Sequence, residues 1–226
     1  MDFFIVYGLV IISFIITLGA QMFVEGSYKL FKKGHIEKGL TGLQVARYML
    51  DNNGLSDVKV EEVSGHLSDH YDPRDKTVRL SSDNYRGDSI ASVSVACHEC
   101  GHALQDKEGY LFMRIRHSLV PIVNFSSYAG YIAITIGLLF GATSFVWLGI
   151  LLEIIILLFQ LVTLPVEFNA SKRALKVLEN DSLLVGKELG KGKVMLGAAA
   201  MTYVASVAAT LIQILRLILM FRRRND

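Results

Sequence analysis

The longest apolar stretch of the chain is SLVPIVNFSSYAGYIAITIGLLFGATSFVWLGILLEIIILLFQLVTLPV, from Ser118 to Val166, and its only charged residue is Glu153. A membrane-spanning helix needs about 20 mostly apolar residues, so the stretch is long enough for two. Gly141-Ala-Thr-Ser144, near its middle, has the composition of a turn. The stretch therefore predicts a transmembrane hairpin.

Two further apolar blocks flank the hairpin. Residues 3–24 carry no charge, lack a preceding basic segment and exceed the length of a signal-peptide core, so we expect a retained anchor. Residues 194–221 are broken only by Arg216, but their first half is rich in Ala, Ser and Thr. Whether this last block crosses the membrane stays open, so the sequence predicts three or four transmembrane helices.

The composition agrees with a membrane protein. Of 226 residues, 52% are hydrophobic and 19% charged, and the mean hydropathy is +0.41, whereas soluble domains average about 25% charged residues. The net charge of +2 gives no reason to expect nucleic acid as a partner. Two cysteines are too few for a disulfide framework. We expect the lipid bilayer as a partner; the oligomeric state stays open.

The basic residues predict the orientation in the cell membrane. Residues 25–117 hold 13 Lys and Arg, residues 165–193 hold six, and the predicted hairpin turn holds none. The positive-inside rule then places both polar regions in the cytoplasm of a multi-pass protein. The expected organisation is an anchor at 1–25, a cytoplasmic catalytic part at 26–117, the hairpin at 118–166 and a C-terminal part at 167–226.

The first polar region predicts a mixed α and β structure. A helix is expected from Gly34 to Gly54, and Thr41 and Gln44 form a capping box in it. Residues 58–63 and 76–81 have strand composition, with a Pro-containing turn at 72–75 before the second, which indicates a small antiparallel sheet. The predicted fold class is α+β, predominantly α.

A second helix is predicted from Asp88, as N-cap, to about Gln105, and it contains the HExxH motif His98-Glu99-Cys100-Gly101-His102. Residues i and i+4 share one helical face, so both imidazoles can reach one metal ion. The adjacent Glu99 can take a proton from metal-bound water. Zinc suits two imidazoles and a carboxylate with one position left for water, so we predict His98 and His102 as ligands and Glu99 as general base.

A third ligand is needed, and Glu167 is the best candidate. Asp106 and Glu108 lie too close on the motif helix to turn back to the ion, and Glu153 lies within a predicted span. Glu167 follows Pro165 at the expected start of a helix, and the two spans before it return the chain to the side of the motif. The alternative is a Glu favoured at a helix N-terminus by the macrodipole.

The HExxH helix, the segment 69–80 and the distal Glu167 resemble the YugP-like family of bacterial membrane zinc metallopeptidases. That family is similar to the HtpX- and Ste24-type membrane proteases, whose second motif has a Glu followed by Ala and Asp. Here Glu167 and Ala170 match, but Ser171 stands in place of the Asp, which would orient a ligand histidine. Either Ser171 or Asn169 is expected to take over this role. The resemblance implies a zincin-like unit, one Zn²⁺ ion and endopeptidase activity.

The resemblance also suggests where a protein or peptide substrate binds. In zinc peptidases of this type an edge strand near the motif helix holds the substrate as an added strand. Residues 76–81 are the candidate strand, with Thr77, Val78 and Arg79 as contacts; the alternative is an ordinary paired strand. Arg173 and Tyr203 are candidate donors to a transition-state oxyanion.

The predicted function is peptide-bond hydrolysis by zinc-activated water on membrane or membrane-proximal proteins. The alternative is a catalytically silent, metal-binding membrane scaffold or chaperone-like protein. Cleavage of a protein substrate with and without a chelator separates the two.

Overall fold

The structure, a computed structural model, describes residues 2–222. Over that range the chain is mostly helical with one small sheet, which confirms an α+β fold that is predominantly α. The elements are α1 Asp2–Phe31, α2 Gly42–Asn52, β1 Lys59–Val63, β2 His70–Asp72, β3 Thr77–Ser81, α3 Ser82–Arg86, α4 Ile90–Lys107, α5 Leu111–Phe140, α6 Thr143–Asn180 and α7 Lys187–Arg222.

The chain divides into two compact units. The apolar unit comprises the described residues up to Gln21, Arg114–Leu164 and the described residues from Thr202 onward. The polar unit comprises Met22–Met113 and Pro165–Met201. The polar unit therefore contains the HExxH motif together with the distal Glu167.

Four helices, α1, α5, α6 and α7, are long and apolar enough to cross a membrane. The predicted hairpin turn is present, since α5 ends at Phe140 and α6 begins at Thr143. Helix α7 qualifies as a fourth span by length and composition; the last part of the basic tail, residues 223–226, lies outside the described residues. The number of candidate spans agrees with the predicted three or four.

Within the apolar unit, α6 packs against α7 through Val146, Ile150, Ile214 and Leu217. Large apolar side chains nevertheless remain exposed on its surface, among them Phe125, Tyr128, Tyr131 and Trp147. Soluble proteins rarely expose large apolar patches. The exposure is what a bilayer would cover.

The expected helix start near Glu167 is wrong. Pro165 and Glu167 both lie inside α6, which runs without a break from Thr143 to Asn180. Proline removes one backbone hydrogen bond, and long apolar helices tolerate this loss when neighbouring structure compensates; α5 likewise contains Pro121. Because Glu167 is far from any helix N-terminus, the macrodipole does not explain its presence.

The sheet is mixed, not antiparallel as predicted. Its strand order is β1-β3-β2, with β1 parallel and β2 antiparallel to β3. The segment 76–81 was expected at the edge, but β3 is the central strand, and the side chains of Thr77 and Val78 are buried. Since both sides of β3 are already paired, Thr77, Val78 and Arg79 cannot hold a substrate by strand addition. The edges belong to β1 and β2.

The core of the polar unit surrounds α4, which packs against α2, the sheet and the end of α6. Its buried members include Met49, Leu80, Ala96 and Leu178. The capping box of α2 forms as predicted, between Thr41 and Gln44, although the helix begins only at Gly42. The cap of α4 is Ser89 instead of Asp88, because the Ser89 side chain accepts from the backbone of Ser92 while Asp88 binds His35.

Candidate metal centre

The two motif histidines lie one turn apart on the same face of α4. Their ring centroids are 4.8 Å apart and the rings meet edge to face, at 87°. His98 is partly buried and His102 is 8% exposed. The helix thus presents two imidazoles side by side, as the i, i+4 spacing predicts.

Helix α6 approaches this part of α4 at backbone contact distance. A Cβ atom built on Gly101 would lie 2.8 Å from the carbonyl oxygen of Ala170 and 3.1 Å from its Cα. Only a glycine fits between the two backbones there. The glycine between the histidines therefore brings the preceding turn of α6, with Glu167, against the motif.

Glu167 completes a cluster of three metal-ligating side chains. Its Oε2 lies 3.3 Å from His98 Nε2 and 3.6 Å from His102 Nε2, and Glu167 is 2% exposed. In residues 2–222 this is the one group of three or more His, Cys, Asp or Glu arranged to hold a metal ion. Tetrahedral zinc with bonds of about 2.0–2.1 Å needs ligand atoms about 3.3–3.4 Å apart, which is close to both distances from Glu167 Oε2.

Each histidine has a hydrogen-bond partner on Nδ1, the nitrogen away from Glu167. His102 Nδ1 lies 2.9 Å from Gln105 Oε1, and His98 Nδ1 lies 3.2 Å from Ser171 Oγ. Such partners orient metal-binding imidazoles and set their tautomer. Ser171 makes the contact for which the resemblance implied an Asp. Sequence reasoning missed Gln105, although its position three residues after His102 puts it on the same helical face.

Glu99 lies beside the cluster without joining it. It is 8% exposed. Burial raises the pKa of its carboxyl, and the neighbouring His98 and His102 only partly offset this. A buried carboxylate with raised proton affinity, next to a metal centre, is suited to accepting a proton from water.

The cysteines of the motif helix do not join the metal centre. Cys97 and Cys100 are both fully buried and free. Burial raises the pKa of both thiols, so they stay protonated and are poor metal ligands. Cys100 Sγ instead donates to the carbonyl of Ala46 at 3.6 Å. Their contribution is packing between α2 and α4.

The two candidate oxyanion donors, Arg173 and Tyr203, lie in different surroundings. The Arg173 guanidinium forms a two-pronged ion pair with Glu108, and its Nε donates to Asn169. These three bonds use three of the five N–H groups of the guanidinium, so the role of Arg173 as an oxyanion donor stays a prediction. Tyr203 is partly buried on α7, and its role stays a prediction.

Comparison with known proteins agrees with this geometry. A family model described as "Putative neutral zinc metallopeptidase" matches residues 6–222. The chain belongs to this zinc metallopeptidase family. The resemblance found in the sequence is thereby confirmed.

A curated relative of the chain, from Bacillus subtilis (strain 168), is named "Putative membrane protease YugP". It is 42% identical over 211 residues, which cover 93% of this chain and 94% of the relative. No solved structure matches the chain significantly. The family name implies zinc, which the His98, His102 and Glu167 donors fit.

Proposed function

We propose that the protein is a membrane-embedded, zinc-dependent endopeptidase that hydrolyses peptide bonds of membrane or membrane-proximal proteins. One observation carries the proposal. The ligand atoms of His98, His102 and Glu167 lie within 4.8 Å of one another, beside the buried carboxyl of Glu99. Two His, one carboxylate and an adjacent base are the set that metal-assisted hydrolysis of an amide requires.

The roles of the residues follow from their positions. A zinc ion, when bound, polarises the substrate carbonyl and makes water more acidic. His98, His102 and Glu167 would hold the ion, and the hydrogen-bond partners on Nδ1 would orient the two imidazole rings. Glu99 takes the proton of the attacking water and passes it to the leaving amine, a transfer favoured by its raised pKa.

An extended substrate is best accommodated at the edge strand β2. Burial is the main cause of the raised pKa of Glu99, and the charge of Asp69, which directly precedes β2, adds to it, so this end of the strand lies near the base. Tyr71 of β2 also donates to Asp106 of α4 at 2.9 Å, which fixes the strand to the motif helix. A peptide that pairs with the free edge of β2 would lie along α4.

We further propose that the polar unit faces the cytoplasm. Residues 25–117 and 165–193 together carry most of the chain's Lys and Arg, and such residues near span ends are retained on the cytoplasmic side. The four apolar helices and the name of the Bacillus relative support a location in the cell membrane.

The test is proteolysis by the purified, zinc-loaded protein. We expect cleavage of casein or a membrane-protein substrate that a chelator abolishes and added zinc restores. Glu99→Gln should retain zinc and lose about 10²–10⁴-fold in rate, because an amide cannot accept the proton. Glu62→Gln, a carboxylate of β1 paired with Arg86, is the matched control and should cleave normally.

Two results would contradict the proposal. Wild-type turnover by Glu99→Gln would remove Glu99 from the mechanism. A zinc-loaded protein that cleaves neither kind of substrate would favour the catalytically silent scaffold or chaperone-like alternative.

A further inference from the structure

A line of hydrogen bonds leads from an ion pair on the surface to the buried side of His102. At its outer end, Arg173 Nη1 and Nη2 donate to Glu108 Oε1 and Oε2 at 2.7 and 2.6 Å. Arg173 Nε donates to Asn169 Oδ1 at 2.7 Å. A guanidinium can only donate hydrogen bonds, so the atom that Asn169 turns toward Arg173 is its oxygen.

The same oxygen determines the orientation of the next amide. Asn169 Oδ1 also accepts from Gln105 Nε2 at 3.0 Å, and Gln105 Nε2 donates as well to the Val166 carbonyl at 2.7 Å. Both neighbours are acceptors, so the atom of Gln105 between them must be its NH₂ group. Gln105 is 0% exposed, and a flipped amide would leave buried groups unsatisfied.

The orientation of Gln105 determines the tautomer of His102. With the amide nitrogen fixed on Val166 and Asn169, Gln105 Oε1 faces His102 Nδ1 at 2.9 Å. A carbonyl oxygen only accepts, so Nδ1 carries the hydrogen. The neutral ring then has its lone pair on Nε2, the atom 3.6 Å from Glu167 Oε2.

We propose that Gln105, Asn169 and Arg173 are positioning residues that fix His102 in the tautomer able to bind zinc through Nε2. The proposal rests on the proposed metal centre and adds to it the residues that set its affinity. The tautomer of His98 is not fixed in this way, because the hydroxyl of Ser171 beside its Nδ1 can either donate or accept. His102 is thus the pre-organised ligand and His98 the adaptable one.

The test measures zinc affinity of the full-length protein by competition with a chelator, alongside thermal unfolding of the zinc-free protein. Gln105→Leu and Asn169→Leu should each weaken zinc binding about 10–100-fold. Asn169→Asp should bind zinc nearly as the wild type does, because a carboxylate accepts the same two hydrogens. If Asn169 had a merely structural role, its variants would lower the unfolding temperature of the zinc-free protein, and Asn169→Leu and Asn169→Asp would not differ in zinc affinity.

The outer end of the line has a matched control. Among Arg173, Asn169 and Gln105, Arg173 is the side chain that can only donate hydrogen bonds. Arg173→Gln removes it, and we expect weaker zinc binding. Arg86→Gln removes a similar arginine, whose Nε and Nη2 bind Glu62 at 3.0 and 2.8 Å without contact to the metal centre, and it should bind zinc like the wild type.

The outcomes separate this proposal from the proposed activity. Wild-type zinc affinity in Asn169→Leu, or an equal loss in Asn169→Asp and Asn169→Leu, would overturn the positioning role while leaving the peptidase in place. Zinc binding that follows the predicted order in a protein without proteolytic activity would support the positioning role and refute the peptidase. A wild-type protein that binds no zinc would overturn both.

Discussion

Replacing Gly101 by alanine tests whether close packing of α4 against α6 assembles the metal centre. The added methyl group would meet backbone atoms only, at 2.8 Å from the oxygen, 3.1 Å from the Cα and 3.2 Å from the carbonyl carbon of Ala170. Ordinary van der Waals contact begins at 3.4 Å. The helices must therefore separate locally by roughly 0.6 Å, the difference between 2.8 Å and the start of ordinary contact.

That displacement is large for a metal site. Ala170 lies three residues after Glu167 on the same helix, so Glu167 moves with it. Metal–ligand distances tolerate about ±0.2 Å, which the shift exceeds about threefold. We expect zinc affinity to fall at least about 100-fold, whereas overpacking should lower the free energy of unfolding by only about 1–3 kcal/mol.

The assay combines chelator competition for zinc with thermal unfolding of the zinc-free protein. Gly190→Ala is the control, because a Cβ atom at that helical position of α7 meets nothing within 4 Å. It should leave zinc affinity unchanged and stabilise the helix by up to about 1 kcal/mol. If Gly101→Ala folds and binds zinc as tightly as the wild type, the contact between α4 and α6 does not determine the site.

Two further predictions concern the third ligand and the orientation. Glu167→Gln exchanges an anionic ligand for a neutral one of similar shape and should lose zinc on dialysis against a mild chelator. Glu179→Gln, at an exposed position later on α6, is the control and should keep its zinc. The reverse pattern would mean that the ligand is misassigned. For the orientation, a cysteine at Ser144 should react with an impermeant reagent added to intact cells, and cysteines at Lys59 or Arg86 should not. Labelling of the latter pair from outside would contradict a cytoplasmic polar unit.

Much of the site was predictable because its signals are local. The i, i+4 spacing alone places His98 and His102 on one face, and the capping box at Thr41 and the turn near Gly141 depend on neighbouring residues only. The apolar blocks predicted the candidate spans by length. The candidate ligand Glu167 followed by eliminating other carboxylates and counting crossings.

The features that the sequence did not predict correctly depend on contacts between distant segments. Strands of three to five residues contain too little pattern to fix their order, so β3 was placed at the edge when it is central. Pro165 predicted a helix boundary from local preference, which the continuous α6 overrides. Gln105 could not be identified, because its orientation depends on Val166 and Asn169, more than 60 residues later.

The division of the metal ligands along the chain has a consequence for biosynthesis. His98 and His102 precede α5, whereas Glu167 and the positioning residue Asn169 follow the first half of α6. A ribosome reaches these residues only after it has made the whole hairpin. A nascent chain that stops before residue 167 has the HExxH helix but only two of the three donors. If the site acts as proposed, the enzyme stays latent until its own hairpin has been synthesised.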